Sequence, residues 1–250
     1  MAHMAYAANC DMGEAYGMWR LADDEAIMPF IDLANVACGF HGGDPVVMRD
    51  TVRAAKANGV AVGAHPGYPD LQGFGRREMA MDPDELTAAI LYQVGALTAF
   101  LGAEGMALSH IKPHGALYGK AARDETTAAA VADAAAVFGV PVMGMAGTAH
   151  ERIYTAKGLD FIAEYYADLS YDDDGSLIIT RRHDALEPAE VGRRVTRALT
   201  EGVAETASGG EIPMRADCVC IHSDSPGAVE LARAVREAIR ASSKTSTPEQ

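Results

Sequence analysis

The sequence predicts an α/β fold, specifically a seven-stranded (β/α) barrel. One pattern recurs seven times along the 250 residues: a short apolar strand, a polar residue at its end, a loop and a helix. No linker separates these units, so we expect a single domain over residues 4–241. Residues suited to chemistry follow six different strand ends. A closed barrel gathers all its strand ends at one mouth, whereas an open sheet binds its ligand at one switch point, so this distribution favours a barrel.

The strands are predicted from short apolar runs that end in glycine, proline or a polar residue. These runs lie at 6–10, 34–38, 60–64, 108–112, 141–146, 161–166 and 217–221. A turn signal of aspartates and a glycine at 172–175 also predicts a small β excursion before the penultimate helix.

The helices are predicted from N-cap residues, first-turn prolines and apolar residues at helical spacing. Asp44-Pro45 and Asp82-Pro83 begin two of them, and glycines end the same two. The predicted helices cover 24–33, 45–58, 83–101, 124–138, 148–157, 187–206 and 225–241.

The net charge of −14 disfavours nucleic acid and anionic membranes as partners, because no basic stripe offsets it. No uninterrupted apolar run reaches the roughly 18 residues of a membrane span, and no signal-peptide pattern opens the chain. Residues 1–3 precede a second methionine and resemble a cloning remnant, while the polar residues 242–250 predict a disordered tail.

All four cysteines fall in predicted strands and lack the spacing of a zinc or redox motif. We therefore expect reduced, buried thiols and a cytoplasmic protein. These cysteines are Cys10, Cys38, Cys218 and Cys220.

Histidines collect at the predicted strand ends, which raises the question of a metal. A lone histidine there is more often a hydrogen-bonding group, but several of them together with Asp11 resemble the sets that hold divalent metals. If a metal is present, we expect Asp11, His41 and His65 to bind it. No HExxH helix supports a metal site, so a metal site and a set of hydrogen-bonding histidines both remain open. The five histidines are His41, His65, His114, His150 and His222.

Two carboxylates, Asp11 and Glu14, follow the first strand, where they suit general-base chemistry, metal coordination or capping of the next turn. Lys112 and His114 are two residues apart and therefore face the same side. Lys112 is expected to enter the mouth, where it polarises a carbonyl, pairs with Asp11 or Glu164, or does both.

The loop that follows the third strand is fixed by glycine and proline and ends in Arg76 and Arg77, which suit an anionic ligand. Three common motifs are missing from the sequence: the phosphate-binding GxxxxGK[ST], the dinucleotide-binding GxGxxG and the hydrolase GxSxG. A nucleotide-binding P-loop and a serine nucleophile of the α/β-hydrolase type are therefore not expected.

Four stretches resemble the LamB/YcsF family: NCDMGE at 9–14, IMPFIDLANVACGFHGGDP at 27–45, GAHPGYPDLQGFGRR at 63–77 and HIKPHGALY at 110–118. The resemblance implies a seven-stranded barrel of the glycoside hydrolase/deacetylase type. It also implies cleavage of 5-oxoproline, a lactam, to L-glutamate, coupled to hydrolysis of ATP and carried out with two partner subunits.

With this reaction in view, we expect Asp11 or His65 to act as the base, and the arginines to bind a carboxylate or phosphate. The expected catalytic residues are Asp11, His41, His65, Lys112 and His114. The expected substrate-binding residues are Glu14, Asp44, Arg76, Arg77, Glu164, Asp168, His222 and Asp224.

The sequence departs from the family at two places. The family pattern ADR-x-Y is Ala-Asp-Leu-Ser-Tyr at 167–171, which removes an arginine, and HGD-x-P is His-Ser-Asp-Ser-Pro at 222–226. A related lactam is therefore an alternative substrate. Two other hypotheses remain: a stand-alone metal-dependent amidase or deacetylase that uses Asp11, His41 and His65, and a non-catalytic subunit that binds a small molecule.

Overall fold

A computed structural model describes residues 6–178 and 185–245. The strands in these ranges are β1 (Ala7–Met12), β2 (Leu33–Ala37), β3 (Ala61–His65), β4 (Leu108–Ile111), β5 (Val142–Gly144), β6 (Phe161–Tyr166), β7 (Ser170–Tyr171), β8 (Leu177–Ile178), β9 (Val203–Glu205), β10 (Glu211–Pro213) and β11 (Cys218–His222). The first six and β11 close into a parallel barrel in the order β1-β11-β6-β5-β4-β3-β2. The predicted seven-stranded (β/α) barrel is confirmed.

The α-helices in the described ranges flank the barrel. They are α1 (Asp24–Ile27), α2 (Pro45–Asn58), α3 (Pro83–Ala103), α4 (Gly115–Arg123), α5 (Glu125–Phe138), α6 (Ala149–Ala156), α7 (Pro188–Thr200) and α8 (Ala228–Thr245). The side chains of Asp44 and Asp82 cap α2 and α3, each with proline in the first turn, as predicted.

The parallel register brings the functional strand ends to one rim. Asp11 of β1 lies opposite His222 of β11 on one side and opposite Asn35 of β2 on the other. The register of β2 with β3 places Gly63 opposite Asn35, and His65 lies two residues further along β3, opposite Ala37. Parallel strands therefore deliver these side chains to the same end of the barrel.

Two predicted helices are shorter than expected. The helix predicted at 24–33 is α1 followed by a 3₁₀ turn, Met28–Phe30, because Pro29 cannot donate a helical hydrogen bond. The helix predicted at 187–206 ends with α7. Gly202 follows in the left-handed region (φ 69°), and the chain then pairs β9 with β10 in an antiparallel ribbon.

One helix was not predicted, and one extends past its predicted end. The segment after β4, for which the sequence predicted no element, forms α4. The last helix runs to Thr245, so the expected tail boundary at Ser242 lies inside α8. The β excursion before the penultimate helix is confirmed by the pairing of β7 with β8. Residues 1–3 and 246–250 lie outside the described residues.

Among the described helices, α3 is long and apolar enough to span a membrane by length and composition alone. Its Ile90, Val94 and Leu97 are fully buried, and the helix packs on α5 and β3. The buried Gln93 interrupts the apolar face, and its amide pairs with both the N–H and the carbonyl of Gly67 at 2.9 and 3.0 Å. Packing on the barrel therefore accounts for the composition of α3, which also anchors the loop after β3.

The barrel interior contains a hydrogen-bonded chain of polar side chains. Asn35 donates to Asn9 Oδ1 at 2.8 Å, and His110 Nε2 donates to Asn35 Oδ1 at 2.7 Å. All three residues are buried, and their bonds link β1, β2 and β4. Gly63 of β3 makes room for this chain, because a Cβ atom there would overlap the His110 ring.

We expect Gly63→Ala to destabilise the fold by at least about 2 kcal/mol, because the methyl group would displace a ring that is held on both sides. Gly95→Ala is the matched control, since Gly95 is an exposed residue of α3 with no atom within 4 Å of the added methyl position. That change should stabilise the helix by about 0.5–1 kcal/mol. Equilibrium urea unfolding measures both. If both variants changed the free energy of unfolding in the same direction, the packing described for Gly63 would be contradicted.

Candidate active site

Asp11 lies at the centre of the barrel mouth. Its Oδ1 accepts hydrogen bonds from Lys112 Nζ at 2.8 Å and from Asn35 at 2.9 Å, and its Oδ2 lies 3.2 Å from His65 Nε2. Burial acts to raise the pKa of Asp11, but the charges of His65 and Lys112 outweigh it and hold this pKa well below its ordinary value. Asp11 is therefore an ionised carboxylate at neutral pH.

Lys112 reaches the mouth from β4 and is almost completely buried. Its Nζ lies 2.8 Å from Asp11, 2.9 Å from Glu164 Oε1 and 3.1 Å from Cys220 Sγ, and it sits over the ring of Tyr166. Burial acts to lower the pKa of Lys112, but Asp11, Cys220 and Glu164 together raise it well above its ordinary value. The ammonium is therefore retained. The ammonium pairs with both Asp11 and Glu164, the two carboxylates predicted as its alternative partners.

His65 and His114 face each other beside Asp11, and backbone carbonyls fix the tautomer of each ring. His65 Nδ1 lies 2.7 Å from the carbonyl of Lys112, and His114 Nε2 lies 2.8 Å from the carbonyl of Phe74. A carbonyl only accepts hydrogen bonds, so these two nitrogens carry the protons. The remaining nitrogens, His65 Nε2 and His114 Nδ1, are 2.9 Å apart.

His41 and Glu14 form a layer behind His114. The His41 ring stacks on His114 with 3.6 Å between centroids, and its Nε2 lies 3.1 Å from Glu14 Oε1. Burial lowers the pKa of His41 to about 3, so this imidazole is neutral. Burial and the charge of Asp11 raise the pKa of Glu14 to about 8. Glu14 Oε1 also lies 3.4 Å from His114 Nδ1.

His222 approaches Asp11 from β11 and is held by Asp168. Its Nδ1 lies 3.1 Å from Asp168 Oδ1, and its backbone N–H donates to Asp168 Oδ2 at 2.8 Å. Burial acts to lower the pKa of His222, but Asp168 outweighs it and raises this pKa to about 9. His222 is therefore an imidazolium, with Nε2 3.9 Å from Asp11 Oδ2.

The loop after β3 returns over the mouth and is shaped by one unusual backbone conformation. Phe74 has φ of 54°, which is costly for a bulky residue, and this turn directs its carbonyl to His114. The Phe74 ring packs edge-on against both His41 and His114. Arg76 lies over the other side of that ring and pairs with Asp224 at 2.9 Å.

A small cavity opens above Asp11. Its polar wall has three cationic side chains and its apolar wall consists of aromatic rings and leucines, a combination that suits a small anionic molecule. The lining residues include Asp11, His65, Arg76, Lys112, His114, Tyr118, Tyr166, Leu169, Leu177 and His222.

The site residues predicted from the sequence form three groups according to their position relative to the cavity. Asp11, His65, Lys112, His114, Arg76 and His222 line the cavity. His41, Glu14, Glu164, Asp168 and Asp224 lie directly behind these residues and contact them. Asp44 and Arg77 are not brought to the cavity: Asp44 caps α2 and accepts from Gly17, while Arg77 pairs with Asp70 in the outer part of the loop.

The site also contains residues that were not selected from the sequence. Asn35 and His110 orient Asp11 from within the barrel, and a polar residue in the middle of an apolar strand was the available signal. Tyr118 and Tyr166 form the apolar wall. Tyr118 belongs to the helix that was not predicted, although it is the last residue of the family stretch HIKPHGALY at 110–118.

A buried histidine and glutamate cluster has the composition of a divalent-metal site. Glu14, His41, His65 and His114 each place one possible ligand atom within 4.8 Å of the others. A second group, Asp11, Cys220 and His222, meets the same distance limit. The metal set expected from the sequence, Asp11, His41 and His65, is thus divided between the two groups.

An apolar groove borders the mouth on the side of Phe74. Tyr16, Trp19, Leu21 and Leu71 line it together with His41 and Arg76 of the site. Tyr16 and Trp19 exchange backbone hydrogen bonds in a tight turn that leaves the Trp19 side chain largely exposed. The groove is continuous with the residues of the active site.

Comparison with known proteins identifies relatives over nearly the whole chain. The sequence profile of the LamB/YcsF family matches residues 7–250. A 5-oxoprolinase subunit of Thermus thermophilus is 50% identical over 235 residues, covering 92% of this chain and 94% of the relative. The lactam utilization protein lamB of Emericella nidulans is 46% identical, covering 92% of each chain.

A solved structure agrees with the sequence relatives. The lactam utilization protein from Thermus thermophilus superimposes with a TM-score of 0.88 at 48% identity, covering 95% of this chain and 97% of that one. The similarity in sequence and in fold covers nearly the whole chain. This chain belongs to the LamB/YcsF family.

Proposed function

We propose that this protein is one component of an ATP-dependent 5-oxoprolinase, a multi-subunit hydrolase that opens the lactam of 5-oxoproline to give L-glutamate. The observation that carries the proposal is an ionised carboxylate, Asp11, held between Lys112 and His65 at the base of a small cavity. Relatives that are 50% and 47% identical to this chain are named as 5-oxoprolinase subunits, which supports the assignment to a 5-oxoprolinase. The four free, buried cysteines support a cytoplasmic location.

The charges around the cavity fit this substrate. 5-Oxoproline carries one carboxylate and a cyclic amide, and the cavity offers Arg76, Lys112 and the His222 imidazolium. These three cations make the cavity locally positive although the whole protein is negatively charged. An anionic substrate requires such a local positive potential. Arg76 is suited to the carboxylate, since a guanidinium can donate two parallel hydrogen bonds to it. Lys112, held beside Asp11, is suited to the oxygen of the amide.

A five-membered lactam is a stable amide, and phosphorylation by ATP supplies the driving force for opening it. Transfer of the terminal phosphoryl group to the lactam oxygen releases ADP and makes the ring carbon electrophilic. Water then adds to that carbon, and Asp11 takes its proton and returns one to the ring nitrogen. The carbon–nitrogen bond breaks, and hydrolysis of the resulting acyl phosphate gives glutamate and phosphate. Because the chain has no P-loop motif, we assign ATP binding to the assembled enzyme.

The cavity wall favours a related lactam as an alternative substrate. Leu169 stands where the family pattern has arginine, and it lines the cavity with Leu177. An apolar wall tolerates a lactam that lacks a carboxylate, so an unsubstituted five-membered lactam is the comparison substrate for every assay. A higher kcat/KM for that lactam than for 5-oxoproline would assign the enzyme to it.

We expect Asp11→Asn to lower kcat by at least about 100-fold, because the amide cannot accept the proton of the attacking water. Glutamate release from 5-oxoproline is measured with ATP and the partner subunits present. Asp50→Asn, on the exposed face of α2, is the matched control and should keep the activity of the unmodified protein. An active Asp11→Asn enzyme would refute Asp11 as the base.

The His222 imidazolium provides a direct test of the site's electrostatics. We expect its NMR titration midpoint to lie at about 9. Because folding raises this pKa, the ion pair stabilises the fold in full below the ordinary histidine value, and this stability is lost as the pH rises through about 9. Asp168→Asn should move the midpoint down towards the ordinary value. Ser225→Ala is the control: it removes a hydroxyl 3.3 Å from Asp168 but keeps the carboxylate, so the midpoint should stay high. A midpoint unaffected by Asp168→Asn would contradict this arrangement.

We propose two partner subunits, and the apolar groove supports the presence of at least one of them. Met18 and Trp19 are 95% and 73% exposed, which is unusual for such residues unless another protein covers them. The groove is continuous with the mouth, so its occupant would also complete the site. We assign it to a partner subunit rather than to a second copy of this chain, because relatives are named as one subunit of an enzyme.

Trp19→Glu should weaken binding of the partner subunits at least about tenfold, because it places a charge where an apolar contact forms. Val137→Glu, equally exposed on α5, is the control and should leave binding unchanged. Affinity is measured by titrating the purified partner subunits into each variant. Equal affinities for the two variants would rule out the groove as the docking site.

A further inference from the structure

We propose that His65, His114 and Glu14 bind one divalent transition-metal ion of the Zn²⁺ class at the barrel mouth. This goes beyond the proposed reaction, in which no step depends on a metal. Each imidazole directs to one point the ring nitrogen that makes no contact with a backbone carbonyl, and the Glu14 side chain lies beside them.

The hydrogen bonds of the two rings require a positive charge between them. The proton of His65 is on Nδ1 and that of His114 is on Nε2, because each of those nitrogens contacts a backbone carbonyl. His65 Nε2 and His114 Nδ1 face each other at 2.9 Å, and His65 Nε2 also lies 3.2 Å from Asp11 Oδ2. Two unprotonated nitrogens at this distance would repel, so either a shared proton or a metal cation lies between the rings, and we propose the metal cation.

The distances suit coordination to a single ion. Bonds of about 2.0–2.1 Å place neighbouring ligand atoms about 2.9 Å apart in an octahedral site and about 3.3 Å apart in a tetrahedral one. His65 Nε2 lies 2.9 Å from His114 Nδ1, which lies 3.4 Å from Glu14 Oε1. Two imidazoles and one carboxylate are a donor set that borderline divalent ions such as Zn²⁺ favour, and they leave positions open.

His41 belongs to this site as a positioning residue rather than as a ligand. Its ring is parallel to that of His114, with 4° between the planes, so the in-plane lone pairs of the two rings cannot converge on one ion. The His65 ring is perpendicular to His114 at 88°, which allows convergence. His41 Nε2 instead lies 3.1 Å from Glu14 Oε1, where it can orient the carboxylate.

The second group of possible ligands already has its cation. Lys112 Nζ lies 2.8 Å from Asp11 and 3.1 Å from Cys220, within the space between those two side chains. An ion between Asp11, Cys220 and His222 would displace a buried ammonium that also pairs with Glu164. Lys112 makes its ion pairs with Asp11 and Glu164, so its charge does not replace an ion beside Glu14.

The experiment uses the full-length protein, stripped with a chelator and titrated with Zn²⁺ alone. We expect one ion per chain, and a Kd at least about 100-fold weaker for His114→Gln and for Glu14→Gln. His222→Asn is the matched control, because it changes a histidine of the same mouth that is outside the proposed set. Calorimetry gives the affinity, mass spectrometry gives the metal content, and circular dichroism confirms that each variant is folded.

The outcomes separate the alternatives without any activity measurement. Loss of Zn²⁺ binding in His114→Gln and Glu14→Gln with retention in His222→Asn supports the site. Loss in His222→Asn alone would assign the metal to the Asp11 group and overturn the proposal. Binding no tighter in the unmodified protein than in His114→Gln would also overturn it, since a proton shared by the two rings would then supply the charge. None of these results depends on whether 5-oxoproline is the substrate.

Discussion

Lys112 carries a positive charge into the barrel interior, and the arrangement of the mouth depends on how that charge is balanced. Asp11 and Glu164 lie within 2.9 Å of its ammonium, and Asn35 and His65 complete the surroundings of Asp11. Removing one partner of such a buried pair costs about 3–5 kcal/mol, because the other charge is left uncompensated. The proposed chemistry and the structural stability therefore depend on the same contacts.

The rest of the mouth is built outward from this charge pair. His65 connects Asp11 to His114, whose far nitrogen is fixed by the carbonyl of Phe74. That carbonyl is directed inward by a left-handed backbone at Phe74, a local cost that the packing of its ring on two histidines offsets. The loop after β3 is thus part of the site as well as a connection. Its outer end, by contrast, pairs Arg77 with Asp70 and remains structural.

Local sequence signals predicted the architecture well because they arise from short-range physics. Aspartate followed by proline begins α2 and α3. The aspartate side chain accepts hydrogen bonds from free backbone amides of the first turn, and proline has no amide hydrogen that would need an acceptor there. Polar residues after several strand ends predicted a common mouth, and parallel register brings Asp11 and His65 to it. The sequence did not predict α4, because the packing of its buried face on α5 and α6 overrides the weak local signal of glycine and histidine at its start.

The sequence by itself determined the barrel, the family and the group of residues at the mouth, because periodicity, caps and long motifs are local properties of the chain. Only the tertiary structure decided their roles. It separates Asp44, a helix cap, from Asp11, and it gives His222 a raised pKa and His41 a lowered one, although both are histidines near strand ends. The reason is that a pKa or a metal-binding geometry depends on burial and on partners from distant strands, which no single stretch of sequence contains.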